Sequence, residues 1–361
     1  MKINLDVISP ALCGGAVPKE KAEIRAASVR GQLRWWFRLL GGFKSLQQKG
    51  MGVRAQEDMI FGMVRGNDCK AGKLQVRTRM LNNATSEIRS FDRNNRAFPR
   101  GSDYFLFPMR STRQVDNSRA IFLNERLPQF ELFLNWRGDP DLEGDVAALG
   151  YLYGYLGSLG MRSRRAMGAL AFAKRQKQDV LPYADVIGHF AKPTNITVKE
   201  LPMQNNDNAI SVLASWLRSW RAYLNENMQK NIGAPGFEYA KKDHDVGYAP
   251  DEQGQSTYRP ALGLPIIQRL GGMKDTCQWE FSNQRGGARF ASPVILRPYT
   301  SSNGTKKALV IFVDAYTYPE GNQVYLHYGR ARRNLGPKVC SVSHDLYRAM
   351  KNDNRLQAFS P

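Results

Sequence analysis

The stretch from Glu23 to Phe43, EIRAASVRGQLRWWFRLLGGF, constrains the fold more than any other. Leu33, Trp36, Phe37 and Leu40 recur at i, i+3, i+4 and i+7, the spacing of one buried helical face. Arg30, Arg34 and Arg38 form a second row four residues apart beside that face. Trp35 and Leu39 make the far side apolar too, so most of this helix needs cover. Ser28 is placed to cap its start and Gly41-Gly42 to end it. A largely covered helix with one arginine stripe reads as a core element showing cations to an anionic partner. The competing reading has the arginines snorkel to solvent or pair with acids.

Charge favours the first reading. Lys and Arg number 52 against 32 Asp and Glu, a formal surplus of 20. Such an excess repels itself, and a polyanion relieves it; nucleic acid leads and an anionic membrane surface trails. Cys13, Cys69, Cys277 and Cys340 are scattered without CxxC or Cys/His pairing, which implies neither zinc nor a disulfide framework and fits a reducing compartment. The start, MKINLDVISP, has no apolar targeting core, and no run approaches transmembrane length. The expectation is a soluble, cytoplasmic protein without metal or cofactor.

At 361 residues the chain is long for one core. Lys2 to Ile8 and Lys73 to Thr78 alternate as strands do, and Phe130 to Trp136, FELFLNW, is a clear strand. Glu57 to Gly62, EDMIFG, reads as a short helix ending at glycine. A basic stretch runs from Arg89 to Arg119 (Arg89, Arg93, Arg96, Arg100, Arg110, Arg113, Arg119), interrupted by an expected strand, Asp103 to Met109. Asp145 caps a second helix with Leu149, Leu152, Tyr153 and Leu156 at core spacing. Its Gly150 and Gly154 allow a close approach to a sheet. Then comes GSLGMRSRRAMGALAF, Gly157 to Phe172: glycines, three arginines and an apolar strand.

Strand–helix–strand–strand–helix–strand is the order of a ferredoxin-like domain. A glycine-rich basic loop before its last strand suits a nucleic-acid backbone, since glycine lets amides approach phosphate and arginine supplies forked donors. After about Asp179 the pattern restarts. Ile210 to Leu224 is a helix, Asn231 to Tyr258 a loop, and Ala261 to Gln268 and Phe290 to Leu296 bracket a second basic loop, Gln284 to Arg289. Ala308 to Asp314 is a strand, and a closing helix and tail end the chain. The expected fold is α+β, with two tandem ferredoxin-like domains over residues 1–178 and 179–361.

The segments EIRAASVRGQLRWWFR, EDMIFG and LGSLGMRSRRAMGAL resemble those of the RAMP proteins of CRISPR type III effector complexes. More narrowly, they resemble the first-numbered RAMP subunit of the type III-B, or Cmr, complex. An IRGQLRWWFR-like helix and an LGGLGxRSRRGxG-like loop are the signatures there. The helix matches closely from Ile24 to Arg38; in the loop, Ser158 replaces a glycine and Ala166-Met167 precede Gly168. ALGLPIIQ and ARFASPVILRP are similar to second-domain motifs of the family.

The resemblance implies two ferredoxin-like folds and a place in a guide-RNA-directed antiviral complex with other Cmr-type RAMP subunits. It also implies contact with the 3′ portion of the guide RNA and with target RNA, without catalysis. Candidate RNA-contacting residues are Arg25, Arg30, Arg34 and Arg38 on the helix, Gly160, Arg162, Arg164 and Arg165 on the first loop, and Gln284, Arg285 and Arg289 on the second.

The alternative is a metal-independent, guide-processing endoribonuclease on the same fold, which needs a general acid and base beside a cation-stabilised phosphate. Of His189, His244, His327 and His344, only His244 is flanked by acids, Asp243 and Asp245, on an expected solvated loop. His327 reads as structural. Asp103 beside the basic stretch could mimic a cleavage-site aspartate, a role the nearest family does not give it. No Walker-type, dinucleotide-binding or HExxH motif occurs.

Overall fold

Ile3, Leu5 and Val7 fall on one side of strand β1 (Lys2–Val7) and are almost fully buried. A computed structural model of the chain describes residues 1–91, 98, 101–111, 115–123, 127–174, 180–221, 234–248, 255–269, 276–282, 289–301, 303–329 and 336–361. Helix α1 (Ala26–Leu39) buries Val29, Leu33, Trp36, Phe37 and Leu39. Its N-cap is Arg25, which makes no side-chain capping bond, so Ser28 lies inside the first turn instead of capping it. Gly41 and Gly42 end the helix as expected, with φ of 75° and 78°.

Short helices α2 (Lys44–Gln48) and α3 (Val53–Phe61) follow; α3 ends at Gly62, φ 75°, as EDMIFG suggests. A hairpin, β2 (Gly62–Arg65) and β3 (Asp68–Ala71), leads to β4 (Leu74–Met80). Strand β5 (Glu87–Arg89), helix α4 (Ser102–Leu106) and strand β6 (Arg119–Ile121) come next, and β5 pairs with β6. Asp103 to Met109, expected as a strand, is therefore helical. A strand would bury Phe105, Phe107 and Met109 together, but Phe105, Leu106 and Met109 are buried and Phe107 is 55% exposed. Arg93, Arg96, Arg100 and Arg113 lie outside the described residues.

Strand β7 (Gln129–Trp136), helix α5 (Glu143–Leu156) and strand β8 (Leu170–Phe172) complete the first βαββαβ unit. The sheet order is β4-β7-β1-β8 with every neighbour antiparallel, the ferredoxin-like arrangement. Two glycines let α5 approach this sheet. A Cβ on Gly150 would stand 2.6 Å from Leu134 Cδ1, and one on Gly154 would stand 2.3 Å from Phe172 Cε1. The helix begins at Glu143, so Asp145 sits in its first turn and not at its cap.

The second half runs through α6 (Tyr183–Gly188), β9 (Ile196–Leu201), α7 (Ala209–Arg221), α8 (Phe237–Tyr248), β10 (Ser256–Thr257), β11 (Ile266–Arg269) and β12 (Thr276–Glu280). It continues with β13 (Val294–Thr300), β14 (Lys306–Val313), β15 (Gln323–His327), β16 (Lys338–Val342), α9 (Asp345–Lys351) and β17 (Gln357–Ala358). One sheet is ordered β13-β14-β9-β17. With β9, α7, β13, β14, α9 and β17 taken as six successive elements, this repeats the ferredoxin-like order. The remaining strands come from two inserts, one after α7 and one after β14, which join in a single sheet ordered β10-β16-β15-β12-β11.

The chain divides into two compact units, residues 1–213, 296–311 and 358–361, and residues 214–295 and 312–357. In the second, Cys277, Trp279, Val324, Leu326, Cys340 and Val342 form a core with Val246 of α8. Asp243 on α8 is fully buried and accepts from Thr257 Oγ1 at 2.8 Å, Tyr258 N at 2.8 Å and Arg259 N at 2.9 Å. The segment expected as a loop between Asn231 and Tyr258 thus holds a helix tied to a strand, and residues 231–233 and 249–254 lie outside the described ones. His244 is on that helix, against Tyr248, and not on a solvated loop. All four cysteines are free, and among the described residues no helix is long and apolar enough to cross a membrane.

In the first unit, β13 carries Arg297, a fully buried guanidinium. Its Nε donates to Gly157 O at 3.0 Å, and its Nη2 donates to Gly154 O at 3.2 Å and to Leu170 O. These carbonyls belong to the C-terminal end of α5 and to β8, where the helix dipole favours a cation. Burial pushes the guanidinium down to about 9, still charged at neutral pH. Replacing Arg297 with Met strands acceptors at about 1–3 kcal/mol each. Urea unfolding is expected to show a loss of about 2–4 kcal/mol, with Arg297→Lys intermediate because one ammonium cannot span three carbonyls.

In the second unit, Trp216 and Trp220 both donate their indole N–H to Asp353 Oδ2 at 2.8 Å, and Arg355 binds the same carboxylate. Burial raises this carboxyl, but Arg355 and the two indoles together outweigh it and hold it below the usual range. A depressed carboxylate contributes stability above its unfolded pKa of about 3.9 and loses it as pH falls through the folded value. Asp353→Asn is therefore expected to melt lower than wild type at pH 7. The gap should close on acidification below about pH 4; a gap that stayed constant would contradict this.

Candidate nucleic-acid interface

The loop between α5 and β8 needs several left-handed residues to turn within so short a span. Gly160 (φ 75°), Arg162 (φ 60°), Ala166 (φ 64°) and Gly168 (φ 64°) supply them. Cβ atoms on the two glycines would stand 2.3 Å from Leu12 O and 2.0 Å from Leu159 O, so only glycine fits there. Ala166 stands where the family signature has glycine, and its left-handed backbone costs about 1–2 kcal/mol. Backbone hydrogen bonds on both edges offset that strain. Met161 N donates to Leu12 O at 2.9 Å and Gly168 N to Pro10 O at 2.8 Å. On the other edge, Ala166 N donates to Leu296 O at 2.9 Å and Leu296 N to Arg164 O at 3.1 Å.

On this frame the three arginines go different ways. Arg162 Nε donates to Phe105 O of α4 at 2.7 Å. The Arg164 guanidinium lies over the Trp35 ring of α1, 4.8 Å from its centroid, and burial lowers its pKa. Arg165 Nη1 donates back to Arg164 O at 3.1 Å. The helix row is partly matched by one acid. Glu57 of α3, almost buried, takes Arg34 Nε directly and has Arg38 Nη1 at 3.6 Å. Two arginines on one glutamate leave a single net positive charge, with 37% and 47% of the arginine side chains exposed. Arg30 donates to Phe61 O at the end of α3, and Arg25 is exposed at the start of α1.

The structure therefore joins Trp35 of α1 to Arg164 of the loop, while Arg34 and Arg38 share Glu57 of α3. Arg289 is exposed and lies in the second unit, and Gln284 and Arg285 lie outside the described residues. Sequence reasoning missed Glu57 as the acid that positions two arginines. It sits in EDMIFG, 23 residues from Arg34, and nothing local marks it as their partner. It missed the α4 carbonyl beneath Arg162 because that segment reads as a strand. Trp35 packs on Arg164 and edge-on against Trp36 at 4.8 Å.

The acid–base groups of the first unit lie elsewhere. His189 Nδ1 is 2.7 Å from Asp145 Oδ1, and the Ser45 hydroxyl donates to the other oxygen of the same carboxylate. Serine and histidine bind the acid separately, so no hydroxyl–imidazole bond is made of the kind a nucleophile–base pair needs. Among the described residues no group of three or more His, Cys, Asp or Glu could hold a metal ion.

Residues 4–171 match the model of the RAMP superfamily. That span, under half of the chain, is similar to the RAMP superfamily. The match covers nearly all of the first βαββαβ unit and both segments brought together by Trp35 and Arg164. A curated relative, CRISPR system Cmr subunit Cmr1-2 of Pyrococcus furiosus, is 26% identical over 175 residues, which are 46% of this chain and 91% of the relative. Among solved structures, the apo crystal structure of Cmr1 from Pyrococcus furiosus aligns with 99% of this chain and 97% of its own, at 16% identity and a TM-score of 0.49. A chain from the cryo-EM structure of the type III-B Cmr-beta complex bound to cognate target RNA aligns over 97% of both chains, at 11% identity and a TM-score of 0.46.

The Arg164–Trp35 contact is expected to couple loop and helix. A double-mutant cycle on Arg164→Ala and Trp35→Ala, read by thermal or urea unfolding, should give an interaction energy of about 0.5–2 kcal/mol. Additive losses would show that the two segments are independent.

Proposed function

We propose that this chain is a non-catalytic RNA-binding subunit of a type III-B CRISPR effector complex. In this reading it contacts the 3′ portion of the guide RNA, the target RNA or both, beside neighbouring RAMP subunits. The observation that carries the reading is the joining of the two signature segments, in which α1 and the glycine–arginine loop share a stacked Arg164–Trp35 pair. The kinship with a Cmr subunit and the surplus of 20 positive charges support it. Arginines on a stiff loop suit phosphates of any sequence, an indifference that fits a protein whose specificity comes from guide pairing.

Filter binding to single-stranded RNA across a salt series tests this. Wild-type affinity should fall steeply with salt, and replacing Arg162, Arg164 and Arg165 with alanine should weaken binding to every sequence. If each arginine neutralises one phosphate, the log–log salt slope should shrink by about 2, at roughly 0.7 per single-strand contact. An unchanged slope would remove the loop from the interface. The competing endoribonuclease reading has one observation in its favour, the His189–Asp145 pair. Metal-free incubation with repeat RNA should leave the RNA intact; discrete products that vanish in His189→Ala would favour that reading instead.

A further inference from the structure

The first unit also contains a cavity of about 250 Å³ that the interface above does not use. Four aromatic side chains line it, with prolines, Val180, Thr300 and Ser301 between them. Tyr155 comes from the last turn of α5, Phe172 from the end of β8, Tyr183 from α6 and Tyr299 from β13. Tyr155 and Tyr299 are 22° from parallel, with ring centroids 6.5 Å apart. Phe172 and Tyr183 meet Tyr155 edge-on at 5.0 and 5.4 Å, and Phe359 meets Tyr183 and Tyr299 edge-on at 5.2 Å. Two nearly parallel rings are thus braced by perpendicular neighbours, which fixes their planes before any ligand arrives.

Aromatic walls of this kind suit either an organic cation or an uncharged planar ring. Arg297 decides between them. Its guanidinium lies 5.8 Å from the Tyr299 centroid, and its hydrogen bonds all go to backbone carbonyls. A second cation stacked on Tyr299 would meet that like charge in a poorly screened interior. A neutral heteroaromatic ring meets no such penalty. Burial pushes the Tyr155 hydroxyl up to about 12 and raises those of Tyr183 and Tyr299, so the tyrosines bring no anion to oppose a phosphate attached to that ring.

We infer that this slot binds a single nucleobase, presented by a free nucleotide or unstacked from an RNA strand. Only the strand source rests on the RNA-binding reading above. The probe is 2-aminopurine, used as its ribonucleoside monophosphate and, separately, at one internal position of a short single-stranded RNA. With the full chain, its fluorescence should fall by at least half in one or both forms. Val180→Phe, which fills the slot while keeping all four rings, should abolish the quenching without lowering the melting temperature. Tyr299→Leu, which removes one wall, should weaken it.

Quenching of the monophosphate alone identifies a nucleotide ligand, and quenching of the RNA alone identifies a strand base. No quenching in either form, or quenching that survives Val180→Phe, would overturn the assignment. Filter binding of the same RNA separates the two readings. A protein that quenches the monophosphate but fails to retain RNA keeps the slot and loses the proposed function. One that retains RNA without quenching does the reverse.

Discussion

A guanidinium removed from water with, among the described residues, no carboxylate beside it is the constraint on which the first unit depends. Desolvating Arg297 costs several kcal/mol, and only convergent acceptors in fixed positions can offset it. Those acceptors are Gly154 O and Gly157 O at the end of α5 and Leu170 O on β8. The preceding residue, Leu296, exchanges two backbone hydrogen bonds with Arg164 and Ala166. Two adjacent residues of β13 therefore hold the arginine loop at its start, its middle and just past its end. The buried charge fixes the strand, the strand fixes the loop, and the loop sets where its arginines emerge.

A loop held in this way can afford unfavourable backbone angles at Arg162 and Ala166, because the hydrogen bonds that require them are made on both edges. It also limits what its side chains can do. Arg162 is tied to α4 and Arg164 is stacked on α1, so much of their conformational freedom is lost before any partner binds. Preorganised cations lose less entropy on meeting a phosphate than free ones do. Glu57 plays the same part for Arg34 and Arg38. It spends one negative charge to hold two positive ones in place, and the pair keeps a net cation.

Elements whose evidence is local were legible in the sequence. The helical spacing of Leu33, Trp36, Phe37 and Leu40, the alternation of β1, and the Gly150/Gly154 pair each report a buried face within a few residues, and each appears in the structure. The element order then pointed to the ferredoxin-like sheet. What escaped was long-range. Glu57 and Arg34 meet across 23 residues, Arg297 and Gly154 across 143, and the strands of the insert sheet come from two separate excursions. Periodicity carries no signal for such pairings. Asp103 to Met109 failed for another reason: a run of aromatics that reads as a strand was overruled by which side chains the core could take, leaving Phe107 out with Arg110 over its ring at 5.0 Å.

The two ferredoxin-like element orders show how one topology divides its labour. In the first, the connection between the second helix and the last strand is the glycine–arginine loop, which displays cations. In the second, the corresponding connection between α9 and β17 is only Asn352 to Leu356. There the second residue is an acid, Asp353, turned inward onto Trp216 and Trp220 of α7 and clasped by Arg355. A short connection cannot make the several left-handed turns needed to present side chains outward, but it can close a helix pair through one carboxylate. The second order instead places its excursions after α7 and after β14, where they build a separate sheet. Loop length at a single topological position thus separates a connection that carries arginines on left-handed turns from one that closes the fold.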